Sequence, residues 1–163
     1  MKTTVKIAAL TLSLIATAAS AQAVRTEKNM SLELANQIAA ATVAACAANN
    51  HNVTAAVVDR AGTLRALQRA DNAGPHTVGA AQGKAFTSAS ARANTSAMLE
   101  NVQKNPGAQT LVDIPGFLVL GGGVPVRVGN EVIGAVGVGG APGGHLDEQC
   151  ANAGIAKVAD LLK

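Results

Sequence analysis

Residues 121–154, GGGVPVRVGNEVIGAVGVGGAPGGHLDEQCANAG, constrain the fold of this chain more than any other stretch. Val124, Val126 and Val128 alternate with Pro125 and Arg127, which is the period of a strand with one buried face. Gly129-Asn130 is a two-residue hairpin signal whose first position needs a positive φ. Val132 to Val138 follows as a strand with no polar face, so it has to be covered on both sides. Gly134 and Gly137 keep its surface shallow, so that a helix or a partner subunit comes close there. The loop Gly139-Gly140-Ala141-Pro142-Gly143-Gly144 then leads into a helix opening near Asp147, and it is the foremost candidate for a ligand-contacting surface.

The amino terminus has a different character. Lys2 and Lys6 precede an apolar run from Ile7 to Ala19 that is too short to span a bilayer, and Ala21-Gln22-Ala23 fits the small-residue cleavage rule. Residues 1–23 are therefore expected to be a cleaved secretory signal. The mature domain would be 24–163, periplasmic or secreted, with no membrane span after cleavage. Without Lys2 and Lys6 the balance is 11 basic against 10 acidic side chains. With no basic patch and no Trp or Tyr, nucleic acid is not an expected partner. About 140 residues suffice for one domain with a core, built here from Ala, Val, Leu, Ile and Gly with Phe86 and Phe117 as the sole aromatics.

Two cysteines gain meaning from an oxidising compartment. Cys46 lies late in a first helix, on one stripe with Ala35, Ile38, Ala39 and Thr42. Cys150 lies early in the last helix, on a stripe with Ala153, Val158 and Leu161. Antiparallel packing of these helices would bring the two together, which predicts a Cys46–Cys150 disulfide. The alternative is a pair of buried free thiols.

Between these helices the pattern predicts strands over 53–59 and 64–69, helices over about 76–92 and 96–103, and a third strand over 117–120 before the final hairpin. The order α-β-β-α-α-β-β-β-α implies an α+β domain. Its expected core is one five-stranded antiparallel sheet, with the first and last helices together on one face.

The segments AAVVDRAGTLRALQRAD (55–71), KAFTSASA (84–91) and the 121–154 stretch together resemble the family typified by GlcG and the haem-binding protein HbpS, to which the carboxy-terminal domain of PduO is related. The resemblance covers nearly all of the mature chain. It implies a profilin-like three-layer fold, assembly into dimers or larger rings, and haem or iron binding by some members. The family commonly carries a serine where Gly139 stands here.

Histidines 51, 76 and 145 are the strong nitrogen ligands available to iron. His51 reads as a solvated turn residue. His76 starts a helix and is the first candidate iron ligand, and His145, closing the glycine loop, is the second. Each also has a plain reading as a helix-start surface residue. Met30 and Met98 read as core filler. Arg69 and Lys84 would hold haem propionates or a small anionic metabolite, with Gly139 and Gly140 lining the site. Arg69 has the alternative of a local ion pair with Asp71. The glycine loop fails the dinucleotide fingerprint, because Pro142 stands where the third glycine belongs, and there is no Walker lysine. No CxxC, HExxH or Ser-His-Asp pattern is present, and catalytic residues are not identifiable. The expected function is that of an exported, homo-oligomeric haem-binding protein. A rival of another class is an enzyme or sensor for a small hydroxy- or oxo-carboxylate.

Overall fold

The computed structural model describes residues 23–163, so the expected signal segment lies, but for Ala23, outside the described residues. Ser31 accepts a hydrogen bond from the Leu34 N–H (3.1 Å) and caps α1, Leu32–Ala47. β1 (Thr54–Asp59) and β2 (Leu64–Arg69) form a hairpin. α2 (His76–Ala91) and α3 (Thr95–Lys104) follow, then a 3₁₀ turn over Pro106–Asp113. β3 (Gly123–Val128) and β4 (Glu131–Gly139) make the second hairpin, with Gly129 at φ +59° as its turn chemistry demands. α4 (Gly144–Lys157) closes the domain.

The sheet has four antiparallel strands in the order β2-β1-β4-β3. The fifth strand expected over 117–120 does not form, because that segment bonds to side chains instead of a ladder. The Leu118 N–H donates to Thr87 Oγ1 (2.7 Å), and Thr95 Oγ1 donates to the Leu120 carbonyl (2.7 Å). An apolar composition made the segment strand-like, but helix-borne hydroxyls bond its backbone.

Alternation along β1 and β4 divides the core. Val57, Val136 and Val138 pack with Ile38, Ala39 and Ala151 of α1 and α4, while Val58 and Ala135 pack with Ala85 and Ala89 of α2. The first and last helices thus share one face. α2 lies on the other, so close that a Cβ on Gly137 would stand 2.1 Å from the Ala81 carbonyl oxygen. Only a glycine in the all-apolar strand permits that approach.

The disulfide joins Cys46 to Cys150 across α1 and α4, with Cα atoms 5.2 Å apart. Cys46 sits on the expected stripe. Cys150 shares its buried face with Asp147, Ala151 and Gly154, whereas Ala153 and Leu161 of the expected stripe are exposed. The helix opens at Gly144, three residues before the expected start, and ends at Lys157, so Leu161 lies in a separate 3₁₀ turn beyond it. Gly154 lets the helices touch, since a Cβ there would lie 2.0 Å from Thr42 Oγ1.

Candidate functional site

α2 carries His76, Ala80 and Lys84 at intervals of four, so one face of the helix presents all three. This face forms a wall of a cavity of about 280 Å³, completed by Leu120, the loop 139–144 and Asp147. His76, Lys84, Gly139 and Gly140 are thereby brought together. His76 is exposed at the start of α2, its ring lying against Gly74. Arg69 does not line the cavity, but its guanidinium donates to the Ala73 carbonyl in the loop that delivers His76. It forms no ion pair with Asp71, and the rest of the exposed guanidinium remains available beside that loop. His145 falls in the first turn of α4, exposed, its ring against Gly143, and is not a lining residue.

Lys84 is 2 % exposed, which is extreme for a lysine. Its Nζ donates to Asp147 Oδ2 (2.7 Å) and to the Val138 carbonyl (2.8 Å), so the cation is balanced within the fold. The second oxygen of Asp147 accepts from the Ala141 N–H (3.0 Å), tying the glycine loop to the same pair. Burial pushes the Asp147 carboxyl above the usual carboxylate range, and the Lys84 and Ala141 hydrogen bonds oppose that shift. Gly122, at φ +126°, passes directly over the pair, where a Cβ would stand 2.8 Å from Lys84 Nζ and 2.6 Å from the Val138 oxygen.

Three features escaped sequence reasoning. Asp147 is the partner of Lys84 across 63 residues, and its only local signal was an acidic residue in a helix first turn. Glu148, next to it, accepts from the Ser96 N–H (3.0 Å), the Ser96 hydroxyl (2.9 Å) and Asn94 Nδ2 (3.3 Å), and so caps α3 from α4. The third is a larger apolar groove of about 550 Å³ on the other side of α2, lined by Val58, Leu64, Phe86, Phe117 and Leu118, with the two rings edge to face at 6.1 Å. Among the described residues no group of three His, Cys, Asp or Glu side chains is placed to hold a metal ion, and no helix is long and apolar enough to cross a membrane.

The family model described as "Haem degrading protein HbpS-like" matches residues 30–156. The chain belongs to the HbpS-like family. Its relatives include protein GlcG of Escherichia coli, 40% identical over 114 residues that make up 70% of this chain and 84% of that protein. A double mutant of HbpS from Streptomyces reticuli superposes with a TM-score of 0.79 at 36% identity, covering 96% of this chain and 99% of that one. PduOC in its heme complex shares the fold, with a TM-score of 0.70 at 23% identity over 78% of this chain and 94% of that one. The family match thus spans the four strands and all of the four helices but the last residue of α4.

Proposed function

We propose that this HbpS-like protein binds haem at the mouth of the 280 Å³ cavity, with His76 as the iron ligand. The observation that carries the reading is the placement of an exposed imidazole on the rim of a concave site in a family described by haem. The donor set fits the group. Haem needs one axial ligand rather than a cluster, and His76 offers a ring held against Gly74. Arg69, anchored on the same loop, is the cation for a propionate. Lys84 supports the wall instead, since Asp147 already neutralises it. The cavity is smaller than the roughly 300–1,000 Å³ that encloses a drug-sized ligand, so it would not enclose a haem completely. His145, away from the lining, is the alternative ligand. Export of the mature chain to a periplasm or beyond, and assembly into a homo-oligomer, belong to the same proposal. The pairing of both cysteines supports an oxidising compartment.

Haemin titration of the oxidised protein, followed in the Soret band, tests it. Saturable binding should lose its ligand signature in His76→Ala and keep it in His145→Ala. A spectrum and affinity indifferent to His76 would remove the assignment.

A further inference from the structure

The buried Lys84–Asp147 couple is not needed to hold haem, and its position is unusual for a structural ion pair. Both side chains are buried, and both residues also line a cavity. A lysine amine has three N–H bonds when protonated; Asp147 and Val138 accept two, and among the described residues none accepts the third. A lysine desolvated in a cavity is the arrangement that turns an amine into a nucleophile toward carbonyl carbon, and here the paired carboxylate has to accept the ammonium proton before the amine can attack. The acid is 2.7 Å away, within reach for proton transfer, and it is held in place by the Ala141 N–H. α4 begins at Gly144 in the cavity wall, so a carboxylate on the incoming molecule would face that helix's first amides.

We infer that Lys84 forms an imine with a small 2-oxo acid, with Asp147 as its proton carrier. The ammonium passes one proton to Asp147, and the freed Nζ lone pair attacks the carbonyl carbon. The C=O electron pair moves to oxygen, which takes that proton from Asp147 to give a carbinolamine. Nitrogen then yields a second proton through Asp147 to the hydroxyl, the C–O bond breaks, and water leaves as C=N forms. One ammonium and one ketone become one iminium and one water, with no change of oxidation state. The iminium keeps a positive charge opposite Asp147, so the electrostatic pairing inside the fold survives the reaction. This inference shares the cavity of the haem reading but rests on different residues, Lys84 and Asp147 in place of His76.

Reductive trapping tests it. The oxidised protein is incubated with pyruvate and cyanoborohydride, and the modified lysine is located by peptide mass mapping. Saturable modification of Lys84 ahead of exposed Lys28, Lys104 and Lys157 is the expected result. Lys84→Arg, which keeps the cation for Asp147, should abolish trapping at this position. Asp147→Asn should slow it about 10²-fold, the lower end for loss of a positioned acid–base group. Modification confined to exposed lysines in the wild-type protein would overturn the inference without reliance on any variant's folding. Trapping at Lys84 that is undiminished in Asp147→Asn would overturn the role of the acid.

Discussion

Opening the Cys46–Cys150 bond should remove a large share of the domain's stability. The two cysteines are 104 residues apart, so the bond closes most of the described chain into one loop. In the chain-entropy treatment a loop of that length constrains the unfolded chain by about 4.7 kcal/mol at 25 °C. Typical domains have about 5–15 kcal/mol in total, so the loss is of the order of a third or more of it. Urea unfolding of the oxidised protein, the reduced protein and a Cys46→Ala/Cys150→Ala variant measures the effect. The reduced form keeps both sulfur atoms in the core, where Cys46 is fully buried and Cys150 is 4 % exposed, so it isolates the cross-link from packing. The alanine variant should be weaker still, by the missing sulfur volume. The urea dependence should steepen when the bond opens, because an unlinked chain exposes more surface on unfolding. A loss below about 1 kcal/mol with an unchanged slope would refute the loop argument. Two titratable thiols in the denatured, unreduced protein would refute the bond itself.

Other outcomes follow from the same geometry. Lys84→Met leaves Asp147 buried without its cation and should destabilise by about 3–5 kcal/mol in denaturant unfolding, whereas Lys84→Met/Asp147→Leu should recover most of that loss. The Asp147 carboxyl is raised in the folded state, so its contribution to stability is fully present below the unfolded pKa and is lost as pH rises through the folded one. The stability of the wild-type protein relative to Asp147→Asn should therefore fall as pH climbs from the acid range, and a difference that grows with pH would contradict the burial argument. Gly154→Ala should part α1 from α4, because its Cβ would lie 2.0 Å from Thr42 Oγ1, and overpacking of this kind lowers stability by about 1–3 kcal/mol, measurable as a drop in the thermal midpoint.

The parts of the molecule that were legible in the sequence are those whose signals are local. The β3–β4 hairpin announced itself through valine alternation and Gly129, and the stripe carrying Cys46 was visible from helical spacing alone. The cysteine pairing followed once the two helices were taken as antiparallel. The missing strand shows the limit. Phe117 to Leu120 is apolar enough for a sheet, yet Thr87 and Thr95, residues on two other elements, take up its backbone groups. The site was half legible for the same reason. Glycines and a helix-start histidine marked the rim, but nothing near Lys84 in the sequence reveals that an aspartate 63 residues on would face it. A lysine within the small-residue run of α2 was the one hint. Arg69 shows the reverse case, a plausible ligand group whose reach is set by a carbonyl four residues away.

The first two turns of α4 carry three anchoring residues within four positions: Asp147 grips α2 and the glycine loop, Glu148 grips α3, and Cys150 is bonded to α1. Helix beginnings usually fray, but this one is anchored in three directions and forms the stiff jaw of the cavity. The opposing jaw is Leu120, 46 % exposed, on a stretch without ladder hydrogen bonds that is tied down through the hydroxyls of Thr87 and Thr95. Compliance is therefore lopsided. A molecule entering the cavity would displace the Leu120 side and leave α4 where it is, so the soft jaw sets what fits while the hard one keeps Asp147 in register with Lys84 of α2.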